Sequence, residues 1–352
     1  MSIIIAILVF GAIVLIHELG HYWAARKCGV TVEEFAIGMG PKIFSWTKNN
    51  IVFSLRGIPI GGFCKMLGED DESNDPGALN RKSIPQRTII LAAGAMMNLA
   101  LAFIIFLFIT LFSGFSTTTI HQTMPGSPAE AAGLRSGDRI TRLNGTSVNI
   151  FGDVTFELSG NTGSPTEVTY VRDGQIHTTT ITPYKAEDGS YKIGFLASGR
   201  TGLFEKRVEG YERAGAWESL TTSAFEIAFY VKVTIVSLVR LVTGQLDMGQ
   251  LSGPIGIVSV IGEAYTESVK VSAWAVVLNM LSLCAILSAN LGVFNLLPLP
   301  GLDGGRLAFV FVEAIRRKPL PVEKEGLVHF IGIVLLMILA VFIAFNDIKK
   351  LL

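Results

Sequence analysis

The chain has 352 residues, half of them hydrophobic and only 16% charged, against the ~25% charge usual in soluble domains, and its mean hydropathy of +0.50 suits lipid. Its 29 basic residues balance 29 acidic ones and no dense Lys/Arg tract occurs, so the electrostatic footprint of a nucleic-acid-binding protein is missing. Cys28, Cys64 and Cys284 are odd in number and far apart, which argues against a disulfide framework and against a cysteine-built zinc site.

Four segments approach the ~20 apolar residues a spanning helix needs: 3–24, 88–112, 273–297 and 327–345. The first has its charges, Arg26 and Lys27, after the apolar run and none before it. It is therefore expected to be an uncleaved span starting outside the cell, not a signal peptide. Basic residues from Arg26 to Arg87 assign the following loop to the cytosol by the positive-inside rule, while Lys349 and Lys350 pull weakly the other way.

Inside the first span stands Ile16-His17-Glu18-Leu19-Gly20-His21. On a helix, His17 and His21 share one face a turn apart, so their imidazoles can converge on one Zn²⁺ with Glu18 beside them as general base. A glutamate at mid-membrane costs ~2.5–3.5 kcal/mol, and an intramembrane ionisable group is a functional site by default. Two core histidines and a chance match would leave that cost unexplained.

Residues 31–67 are rich in Val, Ile and Phe with glycine punctuation, and Asn49-Asn50 separates two apolar runs, which predicts β-hairpins near the membrane. The acidic run Glu69, Asp70, Asp71, Glu72 reads as solvated loop. From 115 to 200 the long apolar runs give way to short alternating strands, with Asp173-Gly174 as a hairpin turn. This is a soluble β-rich domain expected outside the cell; His121 and His177 within it read as satisfied or solvated.

Residues 219–242 are apolar enough to span yet carry Glu226, Lys232 and Arg240. At ~100° per residue these fall within an arc of about 120°, so the segment reads as a helix lying at the interface. Catalytic zinc normally takes three protein ligands, and the third candidate is Asp303, in Asn295-Leu-Leu-Pro-Leu-Pro-Gly-Leu-Asp-Gly-Gly305. Pro298 and Pro300 break the helix there, and unwound backbone at membrane depth is tolerated only where protein or a wet cavity surrounds it. His17 lies ~21 Å into its helix, in the cytosolic third. A four-span count brings Asp303 to that side, whereas five spans would deliver it to the opposite face.

These motifs resemble the site-2 protease family, specifically bacterial regulated intramembrane proteases with an external PDZ domain. The resemblance runs nearly end to end: His17–His21, Gly57-Ile-Pro-Ile-Gly-Gly-Phe-Cys-Lys-Met66, Ser252-Gly-Pro-Ile-Gly256 and Asn295–Gly305, with Ser127-Pro-Ala-Glu-Ala-Ala-Gly-Leu-Arg-Ser-Gly-Asp-Arg-Ile140 and Asn144-Gly145 similar to a protease-associated PDZ domain. It implies zinc bound by His17, His21 and Asp303, water activated by Glu18, and substrate held near the metal by Asn295. The implied fold is a four-helix membrane metalloprotease core with an embedded β-hairpin region and an inserted extracytoplasmic PDZ domain. Implied boundaries are 1–113 for the first part of the core, 115–200 for the PDZ domain and 201–352 for the rest. The implied setting is a bacterial plasma membrane with the zinc site towards the cytosol. Implied substrates are single-pass transmembrane proteins such as anti-sigma factors, trimmed beforehand by a site-1 protease, or signal-peptide remnants. The second span departs from the family, reading Gly94-Ala-Met-Met-Asn98 where Gly-Pro commonly precedes the asparagine, which weakens the transfer of a role to Asn98. A metal carrier and an inactive PDZ scaffold are the competing readings; a carrier needs liganding groups on several spans to form a path, whereas those here gather at one site, and a scaffold has no reason to keep the costly Glu18. The PDZ domain can act as a size filter or bind exposed C-termini.

Overall fold

The computed structural model describes residues 2–69, 72–206, 208, 210–245, 253–318 and 322–351. Asp70 and Asp71 of the acidic run and Ser252 of the Ser-Gly-Pro motif lie outside them. The chain forms two compact units, Met1–Ala102 with Tyr230–Leu352, and Phe103–Phe229.

The first unit begins with α1 (Ser2–Lys27), followed by β1 (Val32–Lys48), β2 (Ile51–Met66) and then α2 (Ile84–Phe112), whose later part enters the second unit. Asn49 and Asn50 take positive φ of 53° and 61° between the two strands, as a two-residue type I′ hairpin turn requires. Both strands fold back on themselves. Glu34 through Ile37 face Lys65 through Gly62 on one side and Val52 through Leu55 on the other, while Phe44 through Lys48 pair with Leu55 through Ile51. The inner end of the sheet packs on α1 and α2 through Ala25, Val32, Phe35, Cys64, Met66 and Ile90.

The second unit runs β3 (Gly114–Thr123), α3 (Pro128–Ala131), β4 (Arg139–Leu143), β5 (Thr146–Ser147), α4 (Phe151–Ser159), β6 (Thr166–Arg172), β7 (Gln175–Ile181), β8 (Tyr184–Lys185), β9 (Tyr191–Lys192), β10 (Phe195–Thr201) and β11 (Glu212–Arg213). Its main sheet is ordered β11-β10-β3-β4-β6-β7, with β5 on β4, over a core that includes Ile120, Ile140, Leu143, Val168 and Ile181. Asp173 and Gly174, both at positive φ, turn β6 into β7. Asp138 is 1% exposed and is held by both arms of the Arg172 guanidinium at 2.7 Å.

The chain then forms α5 (Ala216–Val242), which crosses from the second unit back into the first, α6 (Pro254–Val271), α7 (Ala273–Leu296), α8 (Asp303–Arg316) and α9 (Val322–Leu351). Among the described residues four helical stretches are long and apolar enough to cross a membrane: Ile3–Lys27, Ile84–Phe112, Ala273–Leu296 and Glu325–Lys349. They coincide with the four apolar segments of the sequence, and α5 is not among them. Leu335, Met337, Ile338 and Val341 of α9 are exposed, as on a helix whose apolar face meets lipid. Where helices meet, residues are small, as in membrane bundles. A β-carbon on Gly292 of α7 would lie 3.0 Å from the Ala95 carbonyl of α2, and one on Gly20 of α1 would strike the Ala93 carbonyl. The buried Asp347 of α9 accepts from the Gly253 and Gly256 amides at 3.2 and 2.8 Å, capping the start of α6.

One carboxylate ties the folded-back sheet together. Glu34 accepts from Ser54 Oγ at 2.6 Å and Arg56 Nη2 at 2.9 Å, with Lys42 Nζ at 3.1 Å. Burial alone would raise its pKa, but these three donors outweigh it and hold the value at about 2 against an ordinary 4.5. With the folded value below the unfolded one, this stabilisation is complete above pH 4.5 and is lost as pH falls towards 2. The purified protein is therefore expected to lose thermal stability over that acid range more steeply than Glu34→Gln does; parallel melting-temperature profiles would contradict the assignment.

Candidate metal centre

His17 and His21 stand one turn apart on α1, 7% and 5% exposed. Asp303 opens α8 after a break at Leu297 and a turn through Gly301 at φ +93°. That turn tolerates few side chains. A β-carbon on Gly304 would collide with the Leu297 carbonyl, and one on Gly305 would stand 2.5 Å from the Leu299 carbonyl. The Gly301 amide donates to His329 Nδ1 of α9 at 3.0 Å, which anchors the segment that delivers Asp303.

The result is a triangle. His17 Nε2, His21 Nε2 and Asp303 Oδ2 are each 3.1 Å from the other two, and they form a three-residue cluster with the donor set of a metal site. Tetrahedral zinc with bonds of 2.0–2.1 Å sets its ligand atoms about 3.3 Å apart, so the triangle needs to open by only a few tenths of an ångström. The proton positions agree for His21, whose Nδ1 donates to the Ile90 carbonyl at 2.9 Å and so leaves the Nε2 lone pair for a metal. The residues fit zinc.

Glu18 points into a cavity of about 410 Å³ that His17, His21, Asp303, Phe63, Cys64 and Met66 also line. The Cys64 amide faces its carboxylate. Asn295 sits buried on the last turn of α7, 8% exposed, and is not in the lining of that cavity. The inserted domain's His121 and His177 lie in the second unit: His121 makes an edge contact with Tyr211 and His177 stacks on Tyr170.

Three contributors escaped the sequence reading: the Ile90 carbonyl, which has no side-chain signature; His329, a lone histidine in the last span; and Gly94, where a β-carbon would collide with His21 Nε2 and lie 2.7 Å from His17 Nε2. The spacing Gly94-x-x-x-Asn98 on one helix face was the available signal.

Two imidazoles and a carboxylate closed around one point between apolar helices, with a second carboxylate alongside, make a membrane metalloenzyme. The model for Peptidase family M50 matches residues 5–339, and the chain belongs to that family, the site-2 zinc metalloproteases; zinc is its cofactor. The zinc metalloprotease RasP of Geobacillus kaustophilus is 31% identical over 431 aligned residues, covering 99% of this chain and 98% of its own. The regulator of sigma-W protease RasP of Bacillus subtilis is 32% identical over 433, covering 99% of each. A Clostridium perfringens relative reaches 36% over 351 residues, 99% of this chain and 98% of its own. Among solved structures, the PDZ domain of an SdrC-like protein from Listeria innocua is 21% identical and covers 23% of this chain and 92% of its own, at a TM-score of 0.21, a likeness too slight to carry the fold of that stretch.

Gly94→Ala is expected to lower the zinc content of the purified protein sharply while its gel-filtration profile stays unchanged. Full zinc occupancy in that variant would show that the histidines do not need the space α2 leaves them.

Proposed function

We propose that this membrane zinc metalloprotease hydrolyses peptide bonds within or beside the transmembrane segments of single-pass membrane proteins, with His17, His21 and Asp303 as its zinc ligands and Glu18 as its general base. The observation that carries this is the meeting of the three donor atoms, 3.1 Å apart, beside Glu18 on one cavity. Zinc, when bound, supplies Lewis acidity that acidifies water and polarises the scissile carbonyl. Glu18 takes the proton from the attacking water and returns it to the leaving amine. The Cys64 amide faces the carboxylate on the cavity side, where both transfers take place.

A helical substrate must be unwound, because its carbonyls are already hydrogen-bonded and shielded. The segment Phe63–Met66 pairs with β1 on one side and lines the cavity on the other, and its Cys64 and Met66 amides point to Glu18 and Glu69 on that far side. An extended peptide can add there as a further strand. Asn295 would steady the substrate near the metal. One relative is named regulator of sigma-W protease, which supports anti-sigma factors as the substrate class, trimmed first by a site-1 protease, with signal-peptide remnants as a second source. In this reading the zinc site lies towards the cytosol of a bacterial plasma membrane, α5 lies along the interface, and residues 115–200 form an external PDZ domain.

Glu18→Gln is expected to cut turnover by roughly 10²–10⁴-fold with zinc still bound, since the residue is a base and not a ligand, whereas Asp303→Ala should lose both zinc and activity. Metal loss in the first variant, or normal zinc and turnover in the second, breaks the assignment. Met66→Pro should slow cleavage of a transmembrane substrate at least tenfold with zinc unchanged. If its rate equals that of the parent enzyme, substrate does not add to this edge.

A further inference from the structure

His17 has two ring nitrogens and only one of them faces the triangle. For Nε2 to offer its lone pair to zinc, the proton must reside on Nδ1, and a buried N–H needs an acceptor. His21 has the Ile90 carbonyl in that place. Opposite His17 Nδ1, at 3.3 Å, stands the carboxamide of Asn98, Nδ2 turned towards the ring. Asn98 is 0% exposed, and its Oδ1 meets no donor among the described residues.

An unpaired buried carbonyl costs free energy, and it is unexpected on an apolar spanning helix unless something requires it. The two ends of a carboxamide have nearly the same shape and opposite hydrogen-bonding character, so a half-turn of the group exchanges a donor for an acceptor at His17 Nδ1. The position of the residue is itself fixed. Its backbone carbonyl accepts from Ser288 Oγ of α7 at 2.8 Å, and the gap at Gly94, one turn earlier, admits both histidine rings against α2.

We infer that Asn98 is the positioning residue that sets the tautomer of His17. With the orphaned Oδ1 turned to the ring, Asn98 accepts from Nδ1–H and commits Nε2 to the metal. With Nδ2 turned to the ring it donates to Nδ1, and the ring proton on Nε2 is shared with Asp303 Oδ2, 3.1 Å away. One side chain thus selects, by rotation alone, which ring nitrogen of His17 carries the proton, which neither aspartate nor leucine can do. The inference rests on the reading of His17 as a zinc ligand.

The test uses the full-length protein in detergent, with zinc affinity measured by competition against a chromophoric chelator and ring tautomers read from ¹⁵N-histidine NMR, which five histidines keep tractable. Asn98→Leu is expected to weaken zinc binding about 10- to 100-fold. Asn98→Asp, which keeps the acceptor, should stay within a few-fold of the parent. In the zinc-loaded parent and in Asn98→Asp the His17 signal should report a proton on Nδ1. Unchanged affinity in Asn98→Leu, or equal losses in both variants, overturns the inference. If Asn98→Leu fails to elute as a folded protein, the tautomer signal of the zinc-loaded parent and the affinity of Asn98→Asp decide it. His17→Ala separates the two layers: zinc retained there refutes His17 as a ligand, whereas zinc lost there but kept in Asn98→Leu refutes only the role of Asn98.

Discussion

Asp303 is the group on which the rest of this arrangement depends. Two imidazoles and a glutamate inside an apolar helix face a desolvation cost that no surrounding hydrocarbon can offset. The imidazoles are tolerable because a carboxylate from the far end of the chain, 282 residues beyond His21, closes on both at 3.1 Å. The bundle is organised to make that meeting possible. Small residues let α1, α2 and α7 approach backbone to backbone, which places the histidines against α2 and brings the break after α7 into reach. In lipid there is no hydrophobic drive between helices, so close packing and a few interior hydrogen bonds must suffice.

The segment that carries Asp303 shows how backbone chemistry becomes site geometry. Proline ends α7 and glycine makes the turn; Gly304 and Gly305 begin α8 where any side chain would meet the Leu297 and Leu299 carbonyls. Orphan polar groups at such a break need partners inside the protein, and His329 supplies one by accepting from Gly301. The aspartate thus enters the centre from a helix N-terminus, where the local dipole favours negative charge. A solvated loop could carry the same residue, but it could not hold the oxygen to a fixed point between two imidazoles.

What was legible in the sequence follows from how local the signal is. His17, Glu18 and His21 lie within five residues, and Asn49-Asn50 specifies its turn by itself, so chemistry and geometry coincide in a short window. Helical stretches of the chain announced themselves by apolar length alone. The folding back of β1 and β2 into four paired segments was not readable, because its glycines and bulges permit several registers and the choice is made by packing on α1 and α2. Helices α6 and α8 were not assigned either: each starts at a Pro/Gly motif that reads as a stop, and the capping of α6 comes from Asp347, some ninety residues away. The supports of the metal centre were hardest. The Ile90 carbonyl is invisible in any sequence, and glycines at contact points look the same as glycines in turns.

A rigid centre of this kind raises a problem for any enzyme that cuts inside a membrane, since its substrate arrives as a helix whose carbonyls are all taken. Unwinding a few residues in hydrocarbon leaves several unsatisfied amides at several kcal/mol each, far more than one catalytic contact returns. The cost falls only where replacement partners and water can stand beside the reacting bond, and this chain has room for both next to the donor triangle: a cavity of about 410 Å³ and a sheet segment whose Cys64 and Met66 amides face it. In the structure described the Met66 amide is taken by Glu69 and the Cys64 amide faces Glu18. Glu69 is also paired with Arg306 of α8 at 2.9 Å, on the helix that begins with Asp303. A peptide strand that claimed the Met66 amide would have to displace Glu69 and disturb that pair. Under the proposed strand addition, Glu69 links substrate engagement at the sheet to the helix that carries Asp303.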